Sequence, residues 1–225
     1  MAKRSQVIVD EYLRQIVSGE IVEGELLPTE TVLVDRYAVS RTAVREAIQT
    51  LATKGFVQVR QGSGSTVAPR SSWNVLDQDY LQITGFGTAM FANLLEVREV
   101  VEPAIAGFAA ARAKPADVAA LRRLVAELAA THRRDPAAQE SLDEAFHHKL
   151  AECTDNPVLL SLHGSIWHLT RMHGQPLSPD SVHRVVFWHE QIIDAVAAGD
   201  ADAAGDAMRL HLRQLRADLR GAASG

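Results

Sequence analysis

Residues 27–67, LPTETVLVDRYAVSRTAVREAIQTLATKGFVQVRQGSGSTV, decide the fold of the first part of the chain. Thr29 precedes an acidic first turn and is expected to cap a helix, and Ser40 is expected to cap a second helix over 41–53. The valine-rich run and the glycine-rich turn that follow predict a strand, a tight turn and a returning strand. We therefore expect a β-hairpin over 56–67.

Upstream of this stretch the sequence predicts one more helix. Val9, Tyr12, Leu13 and Ile16 follow the i, i+3, i+4, i+7 spacing of an amphipathic helix. Three helices followed by a hairpin are the element order of a winged helix-turn-helix domain, which we place at residues 1–69.

Beyond the hairpin the periodicity changes. Residues 70–87 are typical of a linker with a short helix, and residues 88–222 have helical periodicity without strand signals. Proline and glycine residues, which end helices, divide this part into predicted helices at 88–112, 115–133, 137–153, 157–172, 181–198 and 201–220. We predict a mainly α protein in which the winged helix-turn-helix is joined to an all-α helical bundle.

The composition is that of a soluble protein. The 225 residues are 47% hydrophobic and 23% charged, and no apolar run reaches the length of a membrane helix. The N-terminal residues lack the apolar segment of a secretory signal. A single cysteine, Cys153, excludes an intramolecular disulfide and suits a reducing compartment. We expect a cytoplasmic protein without a membrane partner.

The net charge of −5 is unevenly distributed. Residues 1–35 carry three basic and seven acidic side chains, whereas residues 36–70 carry six basic side chains and one acidic. A short basic block in an acidic chain is expected of a nucleic-acid-binding surface. The alternative is a helix face that is charged only to remain solvated.

The helix over 41–53 separates two sets of side chains. The apolar set is expected to pack on the preceding helices and consists of Val44, Ala47, Ile48 and Leu51. On the outer face, arginine can pair with guanine or phosphate, and a hydroxyl with first-turn amides can hold a phosphate. We predict that the following residues bind DNA, the last two of them at the tip of the hairpin: Arg36, Ser40, Arg41, Thr42, Arg45, Gln49, Gln61 and Gly62.

Residues 6–68 resemble the DNA-binding domain of the GntR family of bacterial transcription regulators, most specifically in VSRTAVREAIQTL and the later G-x-G-S-x-V. The resemblance implies operator contacts at the positions of Arg41, Thr42, Arg45 and Gly62. One position departs from the family pattern, because Thr31 stands where an arginine is usual. The contact made there is expected to be lost or replaced by Arg36.

The helical part contains polar residues on apolar faces. Asp143 and His147, four apart, fall within the stripe of their helix, and a buried carboxylate and imidazole must be paired or bound to metal. His189 and His211 lie on the inward faces of two later helices. One oxygen and three imidazoles suit Zn, Ni, Co or Mn. The alternative is a set of ordinary core histidines, since His163 also falls on an apolar stripe.

Residues 90–220 resemble the all-helical FCD effector domain of the FadR subfamily, through EVREVVEPAIAGFAAARA, DEAFHHKL, TDNPVL and WHEQIIDAVAAGD. The resemblance implies a divalent metal, most readily zinc, whose ligands would be Asp143, His147, His189 and His211. It also implies that Arg98 lines the effector pocket, although Arg98 could instead be an exposed charge paired with Glu102. Arg171 shares a helix face with small residues and is a second candidate for that pocket. A narrower similarity is to regulators of sugar acids such as galactonate.

The function that these features predict is a homodimeric transcription regulator, most often a repressor. Two winged domains would bind an inverted repeat in double-stranded operator DNA, and a small organic acid held by the metal and Arg98 would release it. Two alternatives stay open. The metal site could be purely structural, or the chain could be a metal-dependent hydrolase. HExxH, GxSxG and Walker motifs are absent from the sequence, so we do not expect an enzyme.

Overall fold

A computed structural model describes residues 4–60, 62, 64–85, 87–131, 135–171 and 181–222. The chain divides into two compact units, Met1–Gly87 and Thr88–Gly225. Helix dominates both units, and the fold class predicted from the sequence is confirmed. Among the described residues, no helix combines the length and the apolar character needed to cross a membrane.

The first unit is a helical core with a hairpin. Its elements are α1 Arg4–Ser18, α2 Glu30–Tyr37, α3 Arg41–Thr53, β1 Val57–Arg60, β2 Gly64–Val67 and α4 Gln78–Thr84. Ser40 caps α3 as predicted, because its side chain accepts a hydrogen bond from the Ala43 amide at 3.2 Å. Thr29 precedes α2 in an extended conformation, but its side chain makes no capping hydrogen bond. Thr29 therefore occupies the predicted N-cap position, but the predicted capping by its side chain is wrong.

The hairpin is antiparallel and has the predicted location. Val57 pairs with Val67 at its base and Arg60 with Gly64 at its tip. Leu26 forms a further bridge to Thr66, so the hairpin is held on its outer edge as well. The unit is built on the predicted apolar positions, which are all buried: Val9, Tyr12, Leu13, Ile16, Val44, Ala47, Ile48 and Leu51.

The segment expected to be a linker packs against the first unit. Trp73 and Tyr80 contact the buried Phe56, with ring centroids 5.4 and 5.7 Å away. The indole of Trp73 donates to the Ala68 carbonyl at 3.0 Å. Gly55, at φ +81°, allows close approach, since a Cβ there would lie 1.9 Å from the Ser72 carbonyl oxygen. The segment therefore completes the core of this unit.

The second unit is a helical bundle. Its elements are α5 Thr88–Arg112, α6 Pro115–Ala130, α7 Pro136–Cys153, α8 Pro157–Arg171, α9 Ser181–Ala198 and α10 Ala201–Ala222. Helices α5 and α10 approach closely where glycines face backbone. A Cβ at Gly107 would lie 3.1 Å from the Ala201 oxygen, and one at Gly205 would lie 3.3 Å from the Pro103 oxygen. The inner faces of α5, α6, α7, α9 and α10 form the main core.

Candidate functional site

The outer face of α3 presents its polar residues to solvent. The exposed members of the predicted set are Arg36, Ser40, Arg41, Thr42, Arg45 and Gln49. The capping of α3 by Ser40 leaves the first-turn amides and the Thr42 hydroxyl at the exposed end of the helix. Such an end attracts phosphate, because the Arg41 and Thr42 amides have no intrahelical partner, whereas the Ala43 amide is bound by Ser40, and the helix dipole is positive there.

Two arginines near this face have intramolecular partners. The Arg45 Nε donates to both carboxylate oxygens of Glu30, at 2.9 and 3.0 Å, and both side chains are largely exposed. The Arg36 guanidinium donates to the Tyr12 hydroxyl at 3.3 Å, which anchors it towards α1. The Arg45 pair is weak because solvent screens it, so phosphate can compete with Glu30 for Arg45.

The tip of the hairpin is open. Gly62 is exposed at φ +78°, and a Cβ built there would meet nothing within 4 Å. Only the backbone conformation therefore requires glycine at this position. Arg60, the last residue of β1, is also exposed. Gln61, predicted to bind DNA, lies outside the described residues.

The second unit brings together the four residues predicted to bind metal. Asp143 and His147 come from α7, His189 from α9 and His211 from α10, and their ligand atoms all lie within 4.8 Å of one another. The three histidines are buried, at 2%, 0% and 2% exposure. We call Asp143, His147, His189 and His211 the four-donor cluster. His148, on the same helix as His147, is half exposed and takes no part in it.

The donor atoms of the four-donor cluster lack hydrogen-bond partners. Those atoms are Asp143 Oδ1, His147 Nε2, both ring nitrogens of His189 and His211 Nε2. A buried polar atom without a partner costs about 1–3 kcal/mol. Imidazole nitrogens and a carboxylate oxygen are the donor types that Zn, Ni, Co and Mn accept. The donor set therefore fits a divalent metal ion.

A buried ion pair between Arg98 and Glu102 supports one of these donors. Arg98 Nε donates to Glu102 Oε1 at 2.6 Å, and Glu102 Oε2 lies 3.0 Å from His147 Nδ1. Arg98 and Glu102 are each 3% exposed, so the expectation of an exposed charge pair is wrong in its environment although the pair exists. A carboxylate on Nδ1 orients the imidazole and directs Nε2 to the cluster. We call Arg98, Glu102 and His147 the buried triad.

Burial and local charge decide the protonation of these groups. Burial alone would raise the pKa of Glu102, but Arg98 and His147 outweigh it and hold that pKa well below its usual range. Burial raises the pKa of Asp143. Burial, with neighbouring positive charge, lowers the pKa of both His189 and His211 well below 6.5. Those two imidazoles are thus neutral at pH 7, which is the state that binds metal.

Sequence reasoning missed several groups around the cluster. The Trp167 ring lies 4.8 Å from that of His147 and 4.3 Å from the Arg98 guanidinium carbon, and its Nε1 has no partner. His163 is buried with both ring nitrogens unpartnered, so it is not a satisfied core histidine. Gln139, one turn before Asp143, is buried with an unpartnered amide. The side chain of Arg171 lies outside the described residues.

Comparison with known proteins matches both units to one kind of protein. Residues 4–67 match the model for bacterial regulatory proteins of the gntR family, and residues 93–214 match that of the FCD domain. The chain is 33% identical to the galactonate operon transcriptional repressor of Escherichia coli K12 over 86% of the chain and 87% of that protein. It is 34% identical to YieP, an uncharacterized HTH-type transcriptional regulator of that strain, over 93% and 92%. A Streptococcus agalactiae GntR structure is similar, with a TM-score of 0.53 and 29% identity over 94% of the chain and 98% of that structure.

Proposed function

Because the chain belongs to the GntR family of bacterial regulatory proteins and carries an FCD domain, it is a DNA-binding transcription regulator and not an enzyme, and we propose that it is a repressor released from its operator by a small organic acid. The acid would bind beside a divalent metal, with zinc as the first candidate, in the second unit. A sugar acid is the preferred class, since one relative is named as the repressor of a galactonate operon. We further propose a cytoplasmic homodimer that reads an inverted repeat.

The DNA contacts that we propose come from α3 and the hairpin. Arg41, Arg45 and Gln49 would face base edges or phosphates, and Thr42 with the first-turn amides of α3 would hold a phosphate. Gly62 would let the backbone of the hairpin approach the duplex. Exposure of all five residues supports this assignment. Arg45 would exchange Glu30 for DNA at little cost, because the pair it leaves is exposed.

The four-donor cluster would hold the metal, and the bound ion would act as a Lewis acid that accepts an oxygen of the effector carboxylate. The chain supplies the rest of the recognition. Arg98 donates through its Nε and Nη2 to Glu102. We propose that the other edge of its planar guanidinium binds the effector carboxylate. Trp167 Nε1–H and His163, both buried and unpartnered, are the groups that would bind effector hydroxyls.

Effector binding would alter the bundle because the groups involved lie on different helices. Arg98 is on α5, Trp167 on α8, and the donors on α7, α9 and α10. A ligand that engages them together favours one arrangement of these helices. It shifts the equilibrium of the dimer only by its difference in affinity between the DNA-competent and DNA-released states.

The observation that carries this proposal is the set of buried, unpartnered donor atoms in the four-donor cluster with the Arg98 guanidinium beside it. Buried polar atoms in a protein core are normally hydrogen-bonded, whereas five donor atoms of this aspartate and these three histidines have no hydrogen-bond partner. One observation favours the second candidate, a structural metal site. Arg98 is already engaged by Glu102 and could serve only to hold His147 in place.

Titration of metal-loaded and chelator-stripped protein with sugar acids, while operator binding is followed by fluorescence anisotropy, tests the proposal. The labelled duplex is an inverted repeat selected from a random pool. We expect an acid to weaken DNA binding at least about tenfold, which is about 1.4 kcal/mol of coupling, in the metal-loaded protein only. Metal-loaded protein that binds DNA equally well with and without every acid tested would contradict it.

Arg98→Lys separates the two candidates. Lysine keeps the charge opposite Glu102 but lacks the planar fork, so we expect normal metal content and a weakened response to the acid. The matched control is Arg122→Lys, which alters an exposed pair with Asp194 in the same unit. An unchanged acid response in Arg98→Lys, with normal metal content, would favour the structural site.

A further inference from the structure

One ridge of α5 is exposed although the opposite side of the helix lies in the core. Its members are spaced four apart and are all exposed: Glu96, Val100, Ala104, Phe108 and Arg112. Val100 is 75% exposed and Phe108 43%. Side chains four apart form a continuous ridge on a helix surface. In the described part of the chain Val100 and Ala104 are open to solvent, and Phe108 is covered in part by the Arg112 guanidinium.

The side chains along the ridge are complementary to the same side chains read in the opposite direction. An acidic residue stands at one end and a basic residue at the other, a large apolar side chain lies on each side of the middle, and the small Ala104 is at the centre. In an antiparallel arrangement Glu96 meets Arg112 of the other copy, and Val100 meets Phe108. A parallel arrangement would place Glu96 against Glu96, which is repulsive.

We propose that this ridge packs antiparallel on the same ridge of a second copy of the chain, with the two-fold axis at Ala104. An interface about a two-fold axis uses one self-complementary patch on both copies, which is what the ridge provides. Ridges four apart pack at a crossing angle of about −50°, and a small central residue lets two helices come close. The inference rests on the proposed function, because it identifies the surface of the proposed homodimer.

The surroundings of the ridge suit this contact. A shallow groove of about 400 Å³ runs beside it between α5 and α10, lined by Ala104, Gly107 and Phe108 with Gly205 and Arg209. Packing of helices places the ridges of one in the grooves of the other. The end charges also have room, since Glu96 is 63% exposed while it pairs with Arg216. Arg112 is exposed, although one nitrogen of its guanidinium donates to the Thr154 carbonyl oxygen and the group lies over the Phe108 ring, so the rest of the guanidinium would form the pair with Glu96 of the other copy.

Cysteine cross-linking tests the position of the axis. Ala104→Cys places two thiols opposite each other across the axis, within the Cα separation of about 4.4–6.8 Å that a disulfide needs. The native Cys153 is buried, and burial raises the pKa of its thiol to about 11, so it stays unreactive. Under mild oxidation we expect Ala104→Cys to form disulfide-linked dimers at least about tenfold faster than Ala126→Cys, an exposed site on α6. Equal rates would overturn the proposed axis.

Val100→Asp tests the same surface without cross-linking. We expect sedimentation to show wild type at twice the 24.5 kDa chain mass and Val100→Asp as a monomer at micromolar concentration. Val158→Asp, a control at 73% exposure on α8, should remain dimeric. A dimeric Val100→Asp would overturn the surface and leave the proposed dimer standing. A monomeric wild type would overturn the dimer itself and this inference with it.

Discussion

The outer face of α3 and the interior of the second unit hold charged side chains in opposite environments. In the first, Arg45 and Glu30 pair at 2.9 Å while their side chains are 68% and 44% exposed. In the second, Arg98 and Glu102 pair at 2.6 Å and their side chains are each 4% exposed. Solvent makes the first pair weak and exchangeable, whereas burial makes each partner of the second indispensable to the other. We therefore expect the first region to exchange its ion pair for phosphate and the second to preserve a fixed geometry.

Glu102→Gln and Glu30→Gln compare the two environments most directly. The first leaves Arg98 buried without a counter-charge, so we expect a loss of about 3–5 kcal/mol in the free energy of unfolding. The second breaks an exposed pair and should cost less than about 1 kcal/mol. Urea denaturation of both variants with metal removed measures the difference. Similar losses in the two variants would show that burial does not separate the two pairs.

Gly55→Ala tests the packing of the segment after the hairpin. The new Cβ would lie 1.9 Å from the Ser72 oxygen at φ +81°, so we expect a loss of about 3 kcal/mol from backbone strain and overpacking together. Gly19→Ala is the matched control, because Gly19 has φ +80° but open space. Its cost should be about 1–2 kcal/mol from strain alone. Equal costs would mean that the Ser72 contact does not constrain the unit.

His163 makes the stability of the second unit depend on pH. Burial lowers the pKa of His163 to about 4, whereas an unfolded histidine has a pKa of about 6.5. The unfolded chain therefore binds a proton first as pH falls through 6.5, and stability is lost between about pH 6.5 and 4. Between pH 7 and 5 the expected loss from this residue is about 2 kcal/mol. His163→Phe should reduce the pH dependence of unfolding by that amount, and an unchanged dependence would contradict the assignment.

Ala38→Gly is the smallest expected effect and concerns the turn before α3. Ala38 ends α2 in the left-handed region, at φ +49°. Glycine removes that strain, so we expect a gain of up to about 1 kcal/mol in unfolding free energy. The same change at Ala52, inside α3, should cost about 1 kcal/mol. Thermal unfolding of the two variants should shift in opposite directions, and a loss of stability in both would contradict the strain at Ala38.

Local patterns predicted the first unit almost completely. The apolar spacing in α1 and α3, the Ser40 cap and the glycine turn of the hairpin depend on neighbours within a few residues. The packing of Trp73 and Tyr80 on Phe56 was not predicted, because it joins segments that are separate in sequence. A linker and a packed segment have similar local patterns, and only the tertiary contact distinguishes them.

The four donors of the second unit were also predicted, by helix faces and by resemblance. The residues that hold these donors in place were not predicted. Glu102 was considered only as a surface partner of Arg98, since a charged pair four apart is typical of a solvated face. Its burial depends on α7 and α8 packing against α5, which one helix cannot show. The same limit applies to Trp167 and Gln139, whose missing partners become visible only when the helices are assembled.

The most direct test of the account is a thermal-shift matrix on chelator-stripped protein that crosses Zn, Ni, Co and Mn with sugar acids, lactate, dicarboxylates and fatty acids. A ligand at about 100 times its dissociation constant adds about 2.7 kcal/mol, which is a shift of about 5–10 °C for a chain of this size. We predict stabilisation by metal and a further shift by a sugar acid only when metal is present. Stabilisation by metal with no additional shift from any acid would contradict the metal–carboxylate pocket and make the four-donor cluster structural.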